Sequence, residues 1–386
     1  MQNARMEAVQ SPIIPVVGEL IRQNPGTISL GQGVVYYPPP QEALEMLPQF
    51  LADPDLHKYQ AVTGIAPLRE AIATKLQTEN NIEIGDRNAV VVTAGSNMAF
   101  LNAILAIASF GDEIILQTPY YFNHEMAIAI AGCRAVCVET DGNYQLRLEA
   151  IAAAITPKTR AIVTISPNNP TGAVYPAKDL QAVNDLCRDR GLYHIHDEAY
   201  EYFTYDGAKS VSPASFRGSC DYTISLFSLS KAYGFASWRI GYMVIPQHLL
   251  DPVKKIQDTN LICASVVSQY AALGALQVGK AYCQQHLGAI ASVRQTLLQA
   301  LHPLADRCIV PTANGAFYLF LKLNSNLDAF TVVKRLIREY GVAVIPGTTF
   351  GITTGCYLRV AYGALQQETT REGIERLTQG LKGILA

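Results

Sequence analysis

Short apolar runs, several rich in β-branched residues, recur along the chain at residues 89–93, 113–117, 134–139, 160–166, 193–196, 223–227 and 239–245. Segments of helical length separate most of them. Seven such runs, mostly apolar and for the most part separated by helix-length segments, predict an α/β fold in which a seven-stranded, mostly parallel sheet lies between layers of helices. Only about eleven residues, Gly234 among them, part the last two runs. That is too short for a helical crossover, so this pair is expected to be antiparallel.

Residues 97–109 are rich in Ala, Leu and Ile and follow Gly95-Ser96, which can cap a helix start. Residues 253–279 and 281–302 read as longer helices leading out of the sheet. The tail then changes character, with apolar stretches at 315–321, 342–345 and 357–360 around a helix at 329–340. This mixture predicts a smaller α+β domain. The expected division is an N-terminal arm (1–48), a large domain (49–290) and a small domain (291–386). The proline-rich part of the arm near 36–48 is expected to pack against the small domain. There is no internal repeat.

Of the 386 residues, 49% are hydrophobic and 16% charged, enough apolar matter for a large core and too little charge for disorder. A net charge of -2, with no basic stripe, offers nothing to nucleic acid or to a membrane surface. The partners expected are small molecules and a second copy of the chain. The eight cysteines, at 133, 137, 187, 220, 263, 283, 308 and 356, include no Cys-x-x-Cys pair. They read as reduced thiols, with no disulfide framework and no metal site. Residues 1–10 form no secretory core. The longest apolar stretches, such as 99–110, fall short of a membrane span, so a cytoplasmic enzyme is expected.

Ligands of open α/β sheets sit beyond the carboxyl ends of the strands, and the polar residues concentrate there. The first run ends in Thr93-Ala-Gly-Ser-Asn97, where backbone N–H groups around Gly95, Ser96 and Asn97 can hold a phosphate or simply close a capped turn. The run at 160–166 ends in Ser166-Pro-Asn-Asn-Pro-Thr-Gly172, a rigid turn that can also aim an amide from Asn168-Asn169 into the cleft. The run at 193–196 ends in Asp197-Glu198-Ala-Tyr200. Its aspartate suits a helix cap or a partner for a protonated ring nitrogen, with the Tyr200 phenol nearby. The run at 223–227 leads into Ser228-Leu-Ser-Lys231, followed eight residues later by Arg239 in Trp238-Arg-Ile-Gly241. Lys231 is either a solvated strand-end lysine or an amine nucleophile beside an anion site, able to form a Schiff base with an aldehyde cofactor.

Taken in order, Asn-Asn-Pro-Thr-Gly, Asp-Glu-Ala-Tyr and Ser-Leu-Ser-Lys with Trp-Arg-Ile-Gly resemble the class I/II aminotransferases, pyridoxal 5'-phosphate enzymes of fold type I such as the aspartate and kynurenine aminotransferases. The resemblance runs from Leu30-Gly-Gln-Gly33 to Leu358-Arg-Val360. It implies that Lys231 carries the cofactor as a Schiff base and moves a proton between Cα and C4'. Asp197 would keep the pyridine nitrogen protonated, and Tyr200 and Asn169 would bond the ring oxygen. Ser96, Asn97, Ser228 and Arg239 would cradle the phosphate, with Ser230 a lesser member, and Tyr121 would stack on the ring. Arg359 would grip the substrate α-carboxylate as a bidentate fork, near the backbone of Gly33 and the amide of Asn169. Tyr59, in the loop at 57–64, would reach the phosphate of a neighbouring subunit, which implies a homodimer with shared active sites.

Two departures bear on specificity. Val34-Val-Tyr-Tyr-Pro-Pro-Pro40 stands where relatives carry a Pro-Asp-Phe-like stretch, and Asn97 replaces a lysine found in some dicarboxylate-selective members. With Tyr36, Tyr37, Tyr121 and Phe122 expected along the cleft, an aromatic or large neutral L-amino acid is the expected donor and a 2-keto acid the acceptor, in a ping-pong cycle. The alternatives are an aspartate aminotransferase and a carbon-sulfur β-lyase using the same site. A transcriptional regulator would need a DNA-binding domain, for which the arm is expected to be too short. A dinucleotide-dependent dehydrogenase would need a Gly-x-Gly-x-x-Gly after a strand, which the sequence lacks.

Overall fold

Seven strands build one sheet: β1 (Asn88–Thr93), β2 (Glu113–Thr118), β3 (Arg134–Glu139), β4 (Thr159–Ile165), β5 (Tyr193–Asp197), β6 (Thr223–Ser228) and β7 (Gly241–Pro246). The computed structural model describes residues 4–385; the first three residues of the arm and the last residue of the tail lie outside them. Strand order is β1-β7-β6-β5-β4-β2-β3, parallel throughout except for β7, which runs antiparallel to β1 and β6 as the short link before it demands. Both faces are covered. Val91, Ile114 and Ile195 pack with Phe100 and Ile104 on one side, while Val90, Val92 and Ile115 join the larger core on the other. Burial on both faces is why β1, β2, β6 and β7 read as largely apolar runs.

The antiparallel β7 decides where chemistry can gather. Gly241 is in register with both Thr93 and Ser228, so the start of β7 lies at the same sheet edge as the ends of β1, β5 and β6. Arg239 is thereby delivered beside residues from three parallel strands.

A second sheet, ordered β10-β11-β9-β8, contains β8 (Cys308–Ile309), β9 (Tyr318–Leu323), β10 (Ile345–Pro346) and β11 (Cys356–Ala361). The expected strand at 342–345 is split. Val342–Ala343 pairs in parallel with Ile28–Ser29, and only Ile345–Pro346 joins β11. The arm divides as well. Its helix Ile13–Gln23 lies with the helix Ala329–Tyr340 of the tail, whereas Gln41–Glu45 packs on Val266–Val278 and not on the second sheet. Gly274 permits that approach, because a Cβ there would stand 2.2 Å from the Glu42 carbonyl oxygen.

The single helix expected at 253–279 is two, Leu250–Asn260 and Val266–Val278. The first ends where the N–H groups of Leu261 and Ile262 both return to the Gln257 carbonyl, with Ile262 left-handed at φ +69°. Glycine normally marks such an end. An isoleucine there hides it.

Candidate active site

A cavity of ≈340 Å³ opens at the carboxyl edge of the large sheet, where the second sheet and the arm meet it. One end is built for an anion. The helix Ser96–Ile107 begins after Gly95, at φ +81°, and has no side-chain cap, which leaves its first-turn N–H groups free for a ligand. Arg239 lies across this end, donating from Nη1 to the Ala236 carbonyl at 3.0 Å and from Nη2 to the Ala94 carbonyl at 3.3 Å. A Cβ on Gly95 would stand 2.5 Å from Arg239 Nη2, so glycine is what admits the guanidinium. Arg239 itself is left-handed at φ +53°, a conformation that costs energy in a non-glycine residue and that the surrounding packing enforces. Ser228 caps the short helix Leu229–Ala232 by accepting the Ser230 N–H at 3.2 Å.

Lys231 projects from that helix. Its Nζ donates to the Gly33 carbonyl at 2.6 Å, while its own carbonyl accepts from the Tyr37 hydroxyl at 3.0 Å. Burial first, then the positive charges of Arg239 and Arg359, push its ammonium down to about 8, against a smaller opposing pull from Asp197. The solvated-lysine reading does not describe this environment.

Asp197 ends β5 and is buried. One carboxylate oxygen accepts the Ala199 N–H at 3.0 Å, as a turn-capping aspartate would. The other lies 3.1 Å from Nε2 of His124, although not along the line of a hydrogen bond. The His124 ring stacks on Phe100 with centroids 3.8 Å apart. Tyr121, one turn earlier, is oriented through its hydroxyl, which accepts from Asn123 at 2.8 Å and donates to Asn97 Oδ1 at 3.3 Å.

The far wall comes from the second sheet. Arg359, in the middle of β11 and only 2% exposed, donates from Nη1 to Asn169 Oδ1 at 3.0 Å and from Nη2 to the Gly31 carbonyl at 2.7 Å. Its guanidinium carbon stands 4.7 Å from the centre of the Tyr318 ring and 5.0 Å from that of Phe350, and its buried Nε has no partner. Asn169 also donates to the Tyr200 hydroxyl at 3.3 Å, and Tyr200 and Tyr318 share a 2.8 Å hydroxyl contact.

Of the residues assigned a catalytic, cofactor or substrate role from sequence, all but Gly95 and Tyr59 line this one cavity, while Asn168, whose amide was also expected to face it, turns that amide to the Ile165 carbonyl. Gly95 stands one residue outside its wall. Tyr59 is 79% exposed on its loop, away from the cavity. Of the four aromatic rings expected along the cleft, Tyr121 and Phe122 line it. Tyr36 and Tyr37 do not. They pack on the helix Lys280–Leu301, where Tyr37 stacks on His286 at 4.0 Å and Tyr36 bonds its Nδ1 at 3.2 Å. Sequence reasoning missed Tyr318, Ile14, Ile165 and the His124 behind Asp197. None is marked by a turn signal, and each reads as an ordinary core residue.

A family model described as aminotransferase class I and II matches residues 25–377. An aromatic aminotransferase from Arabidopsis thaliana is 34% identical, covering 100% of this chain and 97% of its own. A probable aspartate/prephenate aminotransferase from Aquifex aeolicus is 35% identical over 85% of this chain and 84% of its own. Among solved structures, a single mutant of Thermus thermophilus aspartate aminotransferase superposes with a TM-score of 0.90 at 30% identity, covering 98% of this chain and 99% of that one.

Proposed function

The chain belongs to the class I and II aminotransferases, and on that premise we propose that it moves an amino group from an aromatic or large neutral L-amino acid to a 2-keto acid in a ping-pong cycle, with pyridoxal 5'-phosphate held covalently at Lys231. The observation that carries this reading is the lysine amine, pushed down to about 8, in one cavity with the anion-binding end and with the buried Arg359. About a tenth of such an amine is neutral at pH 7, far more than of an ordinary lysine, and can attack an aldehyde.

The residues present fit the cofactor. Its phosphate would take the N–H groups at the start of Ser96–Ile107, the Ser228 and Ser230 hydroxyls and Arg239, with Gly95 leaving room for the guanidinium. Its ring would lie between Tyr121 and the opposite wall, with its nitrogen toward Asp197 and its oxygen toward Tyr200 and Asn169. When bound, the cofactor supplies the electron sink that makes removal of a Cα proton feasible. The buried Asp197 carboxylate would hold the ring nitrogen protonated, with His124 beside it. The Lys231 amine would take the proton from the substrate Cα and deliver it to the cofactor carbon C4', serving as base and then acid. Arg359 would orient the substrate through its α-carboxylate. Each Nη uses one proton on the protein, so a second one and the unpartnered Nε–H are left for a bidentate contact.

The lining of the cavity supports the substrate class. Ile14, Val34, Phe122 and Ile165 supply apolar surface, and among the described lining residues the cations are Lys231, Arg239 and Arg359, each with a role already. A second carboxylate would be desolvated there without a dedicated partner. Tyr59, exposed and outside the lining of its own cavity, supports a homodimer in which it would serve the other copy's phosphate. A reducing, cytoplasmic setting belongs to the same proposal and suits eight cysteines that form no disulfide among themselves.

A panel of amino donors assayed with 2-oxoglutarate tests the reading. Amino transfer should be fastest with phenylalanine or methionine. A kcat/KM for aspartate tenfold above both, about 1.4 kcal/mol of transition-state preference, would favour the aspartate reading that one relative's name suggests. Release of ammonia in place of amino transfer would favour the β-lyase.

A further inference from the structure

The Tyr200 hydroxyl raises a question of proton counting. Its oxygen receives the Asn169 amide at 3.3 Å and lies 2.8 Å from the Tyr318 hydroxyl, and either phenol can be the donor in that pair. Burial pushes Tyr200 well above its ordinary range and Tyr318 up to about 12, so each carries its proton at any working pH. If Tyr200 donates to Tyr318, its only proton is spent and Tyr200 has none left to give a ligand. If Tyr318 donates to Tyr200, the Tyr200 proton is free for a ligand, and its oxygen, now receiving two hydrogen bonds, gives that proton more readily.

Tyr318 is tied to the rest of the site. Its ring is the platform under Arg359. Its hydroxyl lies against the Gly33 backbone, where an added Cβ would stand 2.4 Å away, and the Gly33 carbonyl holds the Lys231 amine. It is fully buried at the start of β9 and lines the cavity.

We infer that Tyr318 is a positioning residue of the reaction: its hydroxyl donates to Tyr200 and so sets the strength of the Tyr200 hydrogen bond to the cofactor ring oxygen. The inference rests on the function proposed above. A stronger bond stabilises negative charge on that oxygen and lowers the proton affinity of the nitrogen joining cofactor and Lys231. Loss of the Tyr318 hydroxyl weakens the bond and raises that affinity.

Tyr318→Phe removes the hydroxyl and keeps the ring, hence the Arg359 platform. The test is an absorbance titration of the pyridoxal-phosphate holoenzyme of wild type, Tyr318→Phe, Tyr200→Phe and the double variant, with kcat and KM for phenylalanine and 2-oxoglutarate. In Tyr318→Phe the midpoint of the bound chromophore should rise by about half to one pH unit, and kcat should fall roughly three- to tenfold with KM for phenylalanine within about twofold. Adding the change to Tyr200→Phe should shift the midpoint no further, because the hydroxyl acts through Tyr200. A normal midpoint in Tyr318→Phe beside a shifted one in Tyr200→Phe would make Tyr318 a core filler and leave the proposed function standing. An additive shift in the double variant would also overturn the relay. Wild-type protein that forms no chromophore with pyridoxal phosphate would overturn both.

Discussion

The carboxylate of Asp197 and the imidazole of His124 stand 3.1 Å apart, both buried, at the end of the fifth strand of the large sheet. On the proposed reading this carboxylate keeps the cofactor ring nitrogen protonated, a task for a fixed negative charge. Asp197→Asn preserves the cap to Ala199 and the volume but removes the charge. Turnover should fall by about three orders of magnitude or more, with cofactor still bound. Near-normal kcat would reduce Asp197 to a turn cap.

The depressed Lys231 ammonium makes a kinetic prediction. Its amine is protonated below about 8 and neutral above. The rate at which apoenzyme captures pyridoxal phosphate should therefore climb with pH through about 8 and level off above it. A climb that continues toward pH 10 would place the lysine at its ordinary value and remove the influence of burial and of the two arginines.

Histidines outside the site shape acid stability. Thr164 Oγ1 lies 2.7 Å from His194 Nε2 and 2.6 Å from His196 Nδ1, and Asn184 donates to His194 Nδ1 at 3.0 Å. Burial pushes His194 down to about 3 and His196 in the same direction. An unfolded imidazole titrates near 6.5, so below that pH the unfolded chain binds more protons and stability is lost toward the folded value. Between pH 7 and pH 5 the loss from His194 is about 2 kcal/mol. Glu198, pushed up to about 8 chiefly by burial, acts in the opposite sense over the same window. Comparing urea unfolding of wild type and His194→Gln isolates the histidine: the variant should lose about 2 kcal/mol less. Identical pH dependence would mean that the folded imidazole is not held neutral.

Much of this fold was legible because strands buried on both faces read as apolar runs, and because an eleven-residue link cannot cross a sheet. The break after Asn260 was not legible, since its left-handed residue is Ile262 and not glycine. Nor was the split of 342–345, which depends on a partner strand more than 300 residues away at Ile28–Ser29. The strand-end residues of the site announced themselves through turn-forming neighbours. Tyr318 and His124 lie inside regular elements, where sequence does not distinguish a core ring from one whose polar atom faces the cavity. The same ambiguity, resolved the other way, explains Tyr36 and Tyr37: aromatic composition was readable, and direction was not.

The exposure of Tyr59 predicts subunit sharing. On the proposed function, Tyr59→Phe would lose the hydroxyl offered to a neighbouring copy's phosphate, and Lys231→Ala would lose the proton carrier. Mixing the two inactive or impaired homodimers after subunit exchange should restore activity, because a hybrid contains one site with both native residues. Unchanged activity despite demonstrated exchange would mean that Tyr59 serves no neighbouring site.

On the proposed function, Lys231 is the covalent anchor of the cofactor and the proton carrier of the reaction. Borohydride reduction of protein loaded with pyridoxal phosphate, followed by peptide mapping, tests it most directly. The pyridoxyl label is predicted on the peptide containing Ser228-Leu-Ser-Lys231, at Lys231 itself, and absent from Lys231→Ala. Label on a different lysine, or undiminished labelling of Lys231→Ala, would contradict the account.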